Sequence, residues 1–139
     1  MKINKGNIWT YDAIWKVIFT NGYVRNDGCL VMGRGTALQA KNKYPDIAKR
    51  CGQFLNNHGN HVGVFEDYKL ITFPTKHGWW EDSDLVLIEQ SAVELGSLPY
   101  NNTFVLGCPG CGCGKLDWSD VKLIIEPILD DRFTVLVGY

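Results

Sequence analysis

The chain has 139 residues, 45% of them hydrophobic, 12% aromatic and 21% charged, with a formal net charge of −1. That length fits one domain able to bury a core without staples. The composition excludes a disordered chain, and the charge balance excludes a broad basic surface for a nucleic-acid backbone.

At the N-terminus, "MKINKGNIWTYD" carries no signal-peptide core, and no apolar run nears the ~20 residues a membrane helix needs. The five cysteines are therefore expected to be reduced thiols in a cytoplasm. "IWKVIFTNG", residues 14–22, is β-rich and apolar, which predicts a buried strand ending at Asn21-Gly22. A loop follows. From about Gly35, Ala37, Leu38 and Ala40 predict a helix that Tyr44-Pro45 interrupts. Asp46 is the expected cap of a helix over 47–57, which stops at "NNHGN". "HVGVF" and "KLITF" flank Glu66-Asp67-Tyr68 as a hairpin.

Ser83 is the expected N-cap of a helix over 84–98, with Leu85, Ile88, Ala92 and Leu95 on one face. "TFVLGC", 103–108, reads as a strand. Asp117 or Ser119 would cap a helix through "DVKLIIEPIL", and "RFTVLVGY", 132–139, reads as the last strand. The order predicts an α/β fold, a mixed sheet covered on both faces. Ligands of such sheets bind beyond the carboxyl ends of the strands. Segments 33–37, 74–77 and 110–114 are expected there.

"GCPGCGCGKLDW", 107–118, raises a choice between a metal centre and a backbone cradle. Zinc wants about four ligands, often in paired knuckles. Cys108, Cys111 and Cys113 supply three, Cys29 and Cys51 lie far back, and one residue between Cys111 and Cys113 is a tight spacing for one ion. A redox pair at Cys111 and Cys113 lacks the Cys-x-x-Cys setting that activates a thiol. The glycines suit the other reading. "MGRGTAL" sets Gly33 and Gly35 before a helix, and Gly110, Gly112 and Gly114 stand between a strand and a helix. Without a Cβ, backbone approaches a ligand closely, and clustered N–H groups with a helix N-terminus bind anions. Either loop alone reads equally well as a turn. Together they suit a diphosphate gripped from two sides, without the P-loop lysine motif or GxGxxG.

"KGNIW", "TNG", "VMGRGTALQAKNKYP", "FPTKHGWW" and "PGCGCGKLDWSDV", in this order, cover nearly the whole chain. With them the chain resembles a macro domain, the ADP-ribose-binding module, in the branch of terminal ADP-ribose glycohydrolases and the antitoxin that reverses DNA ADP-ribosylation. The resemblance implies a three-layer α/β/α sandwich with a mixed six-stranded sheet and ADP-ribose across its crest. It puts Asn7 at the family's adenine-recognising aspartate and Ile8 beside it as a backbone donor. Asn21 matches the asparagine near the distal ribose. Gly33, Arg34, Gly35, Thr36 and Ala37 match the first loop, and Gly110, Cys111, Gly112, Cys113 and Gly114 match the second. Thr75 joins the binding residues. Neither a cofactor nor a metal is implied.

For catalysis, the resemblance implies Lys76 as a nucleophile on the anomeric carbon of the distal ribose, through the open-chain aldehyde. A solvated lysine beside an aromatic cluster is the competing reading. His77 is a general acid or base, or incidental. Gly114 stands where some catalytic relatives hold an aspartate, and the nearest carboxylate, Asp117, reads first as a helix cap. Of Trp79 and Trp80, one is expected to be packed and the other exposed.

The resulting expectation is a single cytoplasmic domain over 1–139, monomeric and away from membranes. It binds ADP-ribose or an ADP-ribosylated species, and the reading leans toward a metal-free ADP-ribosyl hydrolase. The alternatives are a non-catalytic module that senses or sequesters an NAD-derived nucleotide, and a phosphatase acting on ADP-ribose 1″-phosphate.

Overall fold

The computed structural model describes residues 1–138. The end of the last expected strand, Tyr139, lies outside them. In chain order the elements are β1 (Lys2–Asn4), β2 (Trp15–Thr20), α1 (Gly35–Lys43), α2 (Ile47–His58), β3 (Gly63–Phe65), β4 (Leu70–Pro74), α3 (Leu85–Gly96), β5 (Phe104–Gly107), α4 (Trp118–Ile125) and β6 (Phe133–Leu136). A short 3-10 turn, Glu66–Tyr68, closes the hairpin between β3 and β4. The six strands form one sheet in the order β1-β6-β5-β2-β4-β3. Among the strands of the described residues, β3 alone runs antiparallel, against β4. The carboxyl ends of the other five strands therefore share one edge.

Period-two alternation divides the buried side chains between the two faces of the sheet. Trp15, Val17, Ile71, Phe73, Phe104, Leu106, Phe133 and Val135 pack with Ile88, Ala92 and Leu95 of α3 and Val121 and Ile125 of α4. Ile18, Leu70, Val105 and Leu136 face the other way, onto Ala37 and Ala40 of α1 and Ile47, Ala48 and Cys51 of α2. The result is three layers, as expected. Burial pushes the Cys51 thiol up to about 12, so it acts as a small apolar residue in the core. The contact between α2 and the loop after β2 leaves no clearance, since a Cβ on Gly52 would stand 1.9 Å from the Gly28 carbonyl oxygen. Among the described residues no helix is long and apolar enough to cross a membrane.

Three details depart from the sequence expectation. β1 was not anticipated, because its three residues are all exposed and it gains strand character only by pairing with β6. Asp46 precedes α2 but makes no capping bond; its carboxylate accepts the Tyr68 hydroxyl at 2.7 Å instead. Asp84, not Ser83, caps α3, its Oδ1 accepting the Val86 N–H at 2.9 Å. Asp117 does occupy the N-cap of α4, though without a side-chain bond.

Asp84 also takes His77 Nε2 on its other oxygen, at 2.9 Å. That bond, more than any other contact, holds its carboxyl below the usual carboxylate range. A carboxyl depressed in the folded state stabilises fully above its ordinary value, and the contribution fades as pH falls through the folded one. Asp84→Ala is expected to lower stability by about 1 kcal/mol at neutral pH. In denaturant unfolding, the gap to wild type should narrow as the pH is taken down through the acid range. A gap that widens in acid would contradict this assignment.

Candidate functional site

The strand order reverses direction at β2. From there the chain goes to β4 on one side, and later returns through β5 on the other. Loops leaving β2 and β5 must diverge at such a switch point, which opens a crevice above the sheet. A cleft of about 1,210 Å³ lies there and runs across the crest. Its wall draws on the chain after β1 (Asn7, Ile8), β2 (Asn21), β4 (Thr75, Lys76) and β5 (110–114), and on the 33–37 segment. All fifteen binding or catalytic residues read from the sequence border it.

The first loop ends in α1, and no side chain caps that helix. The Thr36 hydroxyl, a possible cap, accepts the Phe19 N–H at 3.1 Å. The first-turn amides of α1 therefore remain available to an anion. Gly35 sits at φ +58, a conformation suited to glycine. Nothing lies within 4 Å of a Cβ built on Gly33 or Gly35, so both backbones face open space.

The second loop divides its amides into two sets. Those of Cys111, Lys115 and Leu116 donate to the carbonyls of Cys108, Gly112 and Gly110. Those of Gly110, Gly112, Cys113 and Gly114 make no hydrogen bond among the described residues. This is the geometry of an anion nest. Its glycines differ in kind. A Cβ on Gly112 would meet nothing. On Gly114 it would fall 2.1 Å from Ser83 Oγ and 2.5 Å from the Gly110 carbonyl, and on Gly110, at φ +74, 2.8 Å from Ser83 Cβ.

Cys108 and Cys111 are joined as a disulfide, with Cα atoms 5.6 Å apart, a correction to the expectation of reduced thiols. Pro109-Gly110 has the residues of a type II turn, with the second at positive φ, and such a turn brings its flanking positions together. The spacing weighed from the sequence, Cys111 to Cys113, was the wrong pair. Cys113 is free and exposed. Among the described residues no three His, Cys, Asp or Glu side chains converge as metal ligands would.

Lys76 follows β4, and its backbone is fixed on three sides. Thr75 N–H donates to the Thr20 carbonyl, Asn60 Nδ2 donates to the Lys76 carbonyl at 3.1 Å, and Gly22 N–H donates to the His77 carbonyl. From this mount the side chain crosses to the second loop, Nζ donating to the Cys113 carbonyl at 3.5 Å. His77 does not border the cleft; its ring turns to Asp84 at the N-cap of α3.

Neither asparagine has its full hydrogen-bonding capacity free. Asn7 Oδ1 accepts the Trp9 N–H at 2.8 Å, while the Ile8 N–H makes no bond among the described residues. Asn21 donates to the Val31 carbonyl and accepts the Tyr23 N–H, so it shapes the loop beside the cleft. Sequence reasoning missed Ser83, whose hydroxyl lies buried beneath Gly114 and borders the cleft without a partner. It also missed Asp27, the one carboxylate among the described residues lining this cleft. The Cys29 N–H bonded to Asp27 holds its carboxyl below the usual range, so it is ionised at neutral pH. Asp117 is not in the cleft wall. Both Trp79 and Trp80 are exposed, not one of them.

No protein-family model matches the chain. It is similar to the protein named DNA ADP-ribosyl glycohydrolase of Mycobacterium tuberculosis (strain ATCC 25618 / H37Rv), 34% identical over 116 residues, which is 74% of this chain and 33% of that protein. The same figures hold for the protein of that name from Mycobacterium bovis (strain BCG / Pasteur 1173P2). The chain thus spans about a third of the length of the curated relatives it matches. Among solved structures it is similar to the macrodomain of Mycobacterium tuberculosis DarG, with TM-score 0.77, 24% identity, and coverage of 98% of this chain and 96% of that one. The macrodomain of Thermus aquaticus DarG gives 0.78, 24%, 99% and 97%. Thermosipho africanus DarTG in complex with ADP-ribose gives 0.81 and 18%, with 97% of this chain and 40% of that one.

Proposed function

We propose that this chain, a macro domain in fold resembling the DarG macrodomains, works as one unit that binds ADP-ribose across the crest cleft and removes it from a nucleic acid. The observation that carries the binding step is the set of unpaired amides. Four in the second loop and the first turn of α1 line one cleft. Two phosphates bridging those loops would be held by backbone donors fixed in advance, with no lysine of a P-loop. The adenosine end then extends toward Asn7 and Ile8, and the distal ribose toward Asn21 and Lys76. The names of the curated relatives support DNA as the carrier of the modification. A nucleic-acid substrate sets the activity in the cytoplasm.

Lys76 supplies the chemistry. The sugar ring opens as O4″ leaves C1″ and takes a proton, which leaves C1″ double-bonded to the base nitrogen, and the Lys76 amine adds to that carbon. The bond from C1″ to the nucleic acid breaks, and the leaving atom takes a proton from solvent. Water then hydrolyses the Lys76–C1″ adduct, which releases ADP-ribose and restores the amine. The loop amides oppose the negative charge of the diphosphate throughout. Titration calorimetry with ADP-ribose is expected to give saturable heat at a one-to-one ratio. A folded sample that gives none at millimolar ligand would overturn the reading.

A binding module without catalysis is favoured by one observation. Among the described residues no carboxylate partners Lys76, and Gly114 has no room for one. Turnover by the Lys76 variant, treated below, separates the two.

A further inference from the structure

A second, smaller cleft of about 210 Å³ adjoins the first. Arg34, Lys76, Trp79 and Cys113 border both, whereas Trp80 and Lys115 border only the second. Because Lys76 must reach C1″, any group bonded to C1″ leaves the first cleft past this shared wall. The second cleft is where it arrives.

The surface there is unusual in chemistry. Trp79 and Trp80 are 52% and 62% exposed, although indoles are ordinarily well buried. Neither is loose. Trp80 stands edge-on to Tyr23, centroids 5.6 Å apart at 76°, and to Trp79, 5.7 Å apart at 87°. Its ring also lies over Gly78, where a Cβ would come within 2.9 Å of it. The indoles are thus held by their edges, and such a platform suits a flat aromatic group. Charge at the site is also arranged. Glu81 is engaged by the Gly78 N–H at 2.7 Å and Asp82 lies 4.0 Å from Lys115. Arg34 and Lys76 have no carboxylate partner among the described residues. An aromatic platform beside an unneutralised cation such as Arg34 is a common means of holding single-stranded nucleic acid. A peptide would need neither flat faces nor a phosphate partner.

We infer that this shelf seats the nucleic-acid strand on the leaving side of the scissile bond, with Trp79 against the modified base, Trp80 under the next base along, and Lys115 on the intervening phosphate. The inference rests on the nucleic-acid reading above and names the residues that would read the strand. It makes substrate length matter, because an ADP-ribosylated nucleoside has no second base to meet Trp80.

The test compares an ADP-ribosylated single-stranded oligonucleotide, the corresponding ADP-ribosylated nucleoside, and an ADP-ribosylated peptide, using the full chain. Trp80→Ala is expected to raise KM for the oligonucleotide about tenfold, with kcat nearly unchanged. Cleavage of the nucleoside and the heat of ADP-ribose binding should stay at wild-type values, and Trp80→Phe should recover most of the loss. Lys115→Glu should weaken the oligonucleotide alone and flatten its salt dependence. Should Trp80→Ala lose ADP-ribose binding through misfolding, Lys115→Glu and Trp80→Phe decide the matter. Wild-type kinetics for both surface variants on the oligonucleotide would overturn the shelf while leaving the activity standing. A wild-type protein that binds ADP-ribose yet releases none from the oligonucleotide overturns the nucleic-acid reading and the shelf together. Trp80 dependence confined to the peptide would assign the shelf to a protein and overturn it as well.

Discussion

Lys76→Ala should abolish release of ADP-ribose from an ADP-ribosylated oligonucleotide, by about a thousandfold or more, and leave ADP-ribose affinity within a few-fold of wild type. The separation follows from the construction of the site. Among the described residues Lys76 Nζ makes one hydrogen bond, to the Cys113 carbonyl, whereas the proposed diphosphate donors are backbone amides that the substitution does not move. The backbone bonds at Thr75, Gly22 and Asn60 are independent of the side chain. Single-turnover assays with matched calorimetry check both halves. Equal, measurable product release by variant and wild type would remove Lys76 from the chemistry, whereas ADP-ribose binding with no release by either protein would leave the binding module. Loss of binding together with turnover would instead make Lys76 a ligand contact.

The second large effect separates two glycines of one loop. Gly114→Asp places a side chain where catalytic relatives are expected to carry an acid, yet it should not create one. A Cβ at 114 would fall 2.1 Å from Ser83 Oγ and 2.5 Å from the Gly110 carbonyl oxygen, and the second of these is backbone that no rotamer change can clear. Relief requires the loop to move, so the Ser83 N–H bond to the Gly114 carbonyl is lost. We expect about 1–3 kcal/mol of lost stability, the usual cost of overpacking, and loss of measurable ADP-ribose binding. Gly112→Val should do the opposite to stability. Open space surrounds Gly112, so the melting temperature should hold while the new side chain stands where the diphosphate must come and weakens ADP-ribose at least tenfold. Thermal unfolding and calorimetry on both variants check this. Equal melting temperatures for the two would contradict the packing difference.

Much of the fold was legible in the sequence because its signals are local. The apolar run at 14–22, the break at Tyr44-Pro45 and the hairpin at 66–68 each declare themselves within a few residues. The pairing of two glycine loops across one crest was legible too, since both follow strands expected to end at the same edge. β1 was not, because Lys2–Asn4 has no pattern of its own and becomes a strand only beside β6. The cap of α3 was misplaced by one residue, as Ser83 and Asp84 are both good caps and only the turn of the chain chooses between them. The cysteine pairing depended on a Pro-Gly turn, and attention to the closer spacing hid it. The roles of His77 and Trp80 lay in contacts with Asp84 and Tyr23 that no spacing reveals.

The three backbone bonds that fix the mount of Lys76 also divide the site mechanically. Thr75 is tied directly to Thr20 at the end of β2, and Gly22 just beyond that strand holds the His77 carbonyl, so the backbone that carries Lys76 moves with the core. The amides that receive the diphosphate belong to a loop whose outer residues are bonded to little beyond the loop itself. On the proposed function the reacting amine is thus carried on a stiff stretch of backbone, and the phosphates meet the more loosely tied of the two partners.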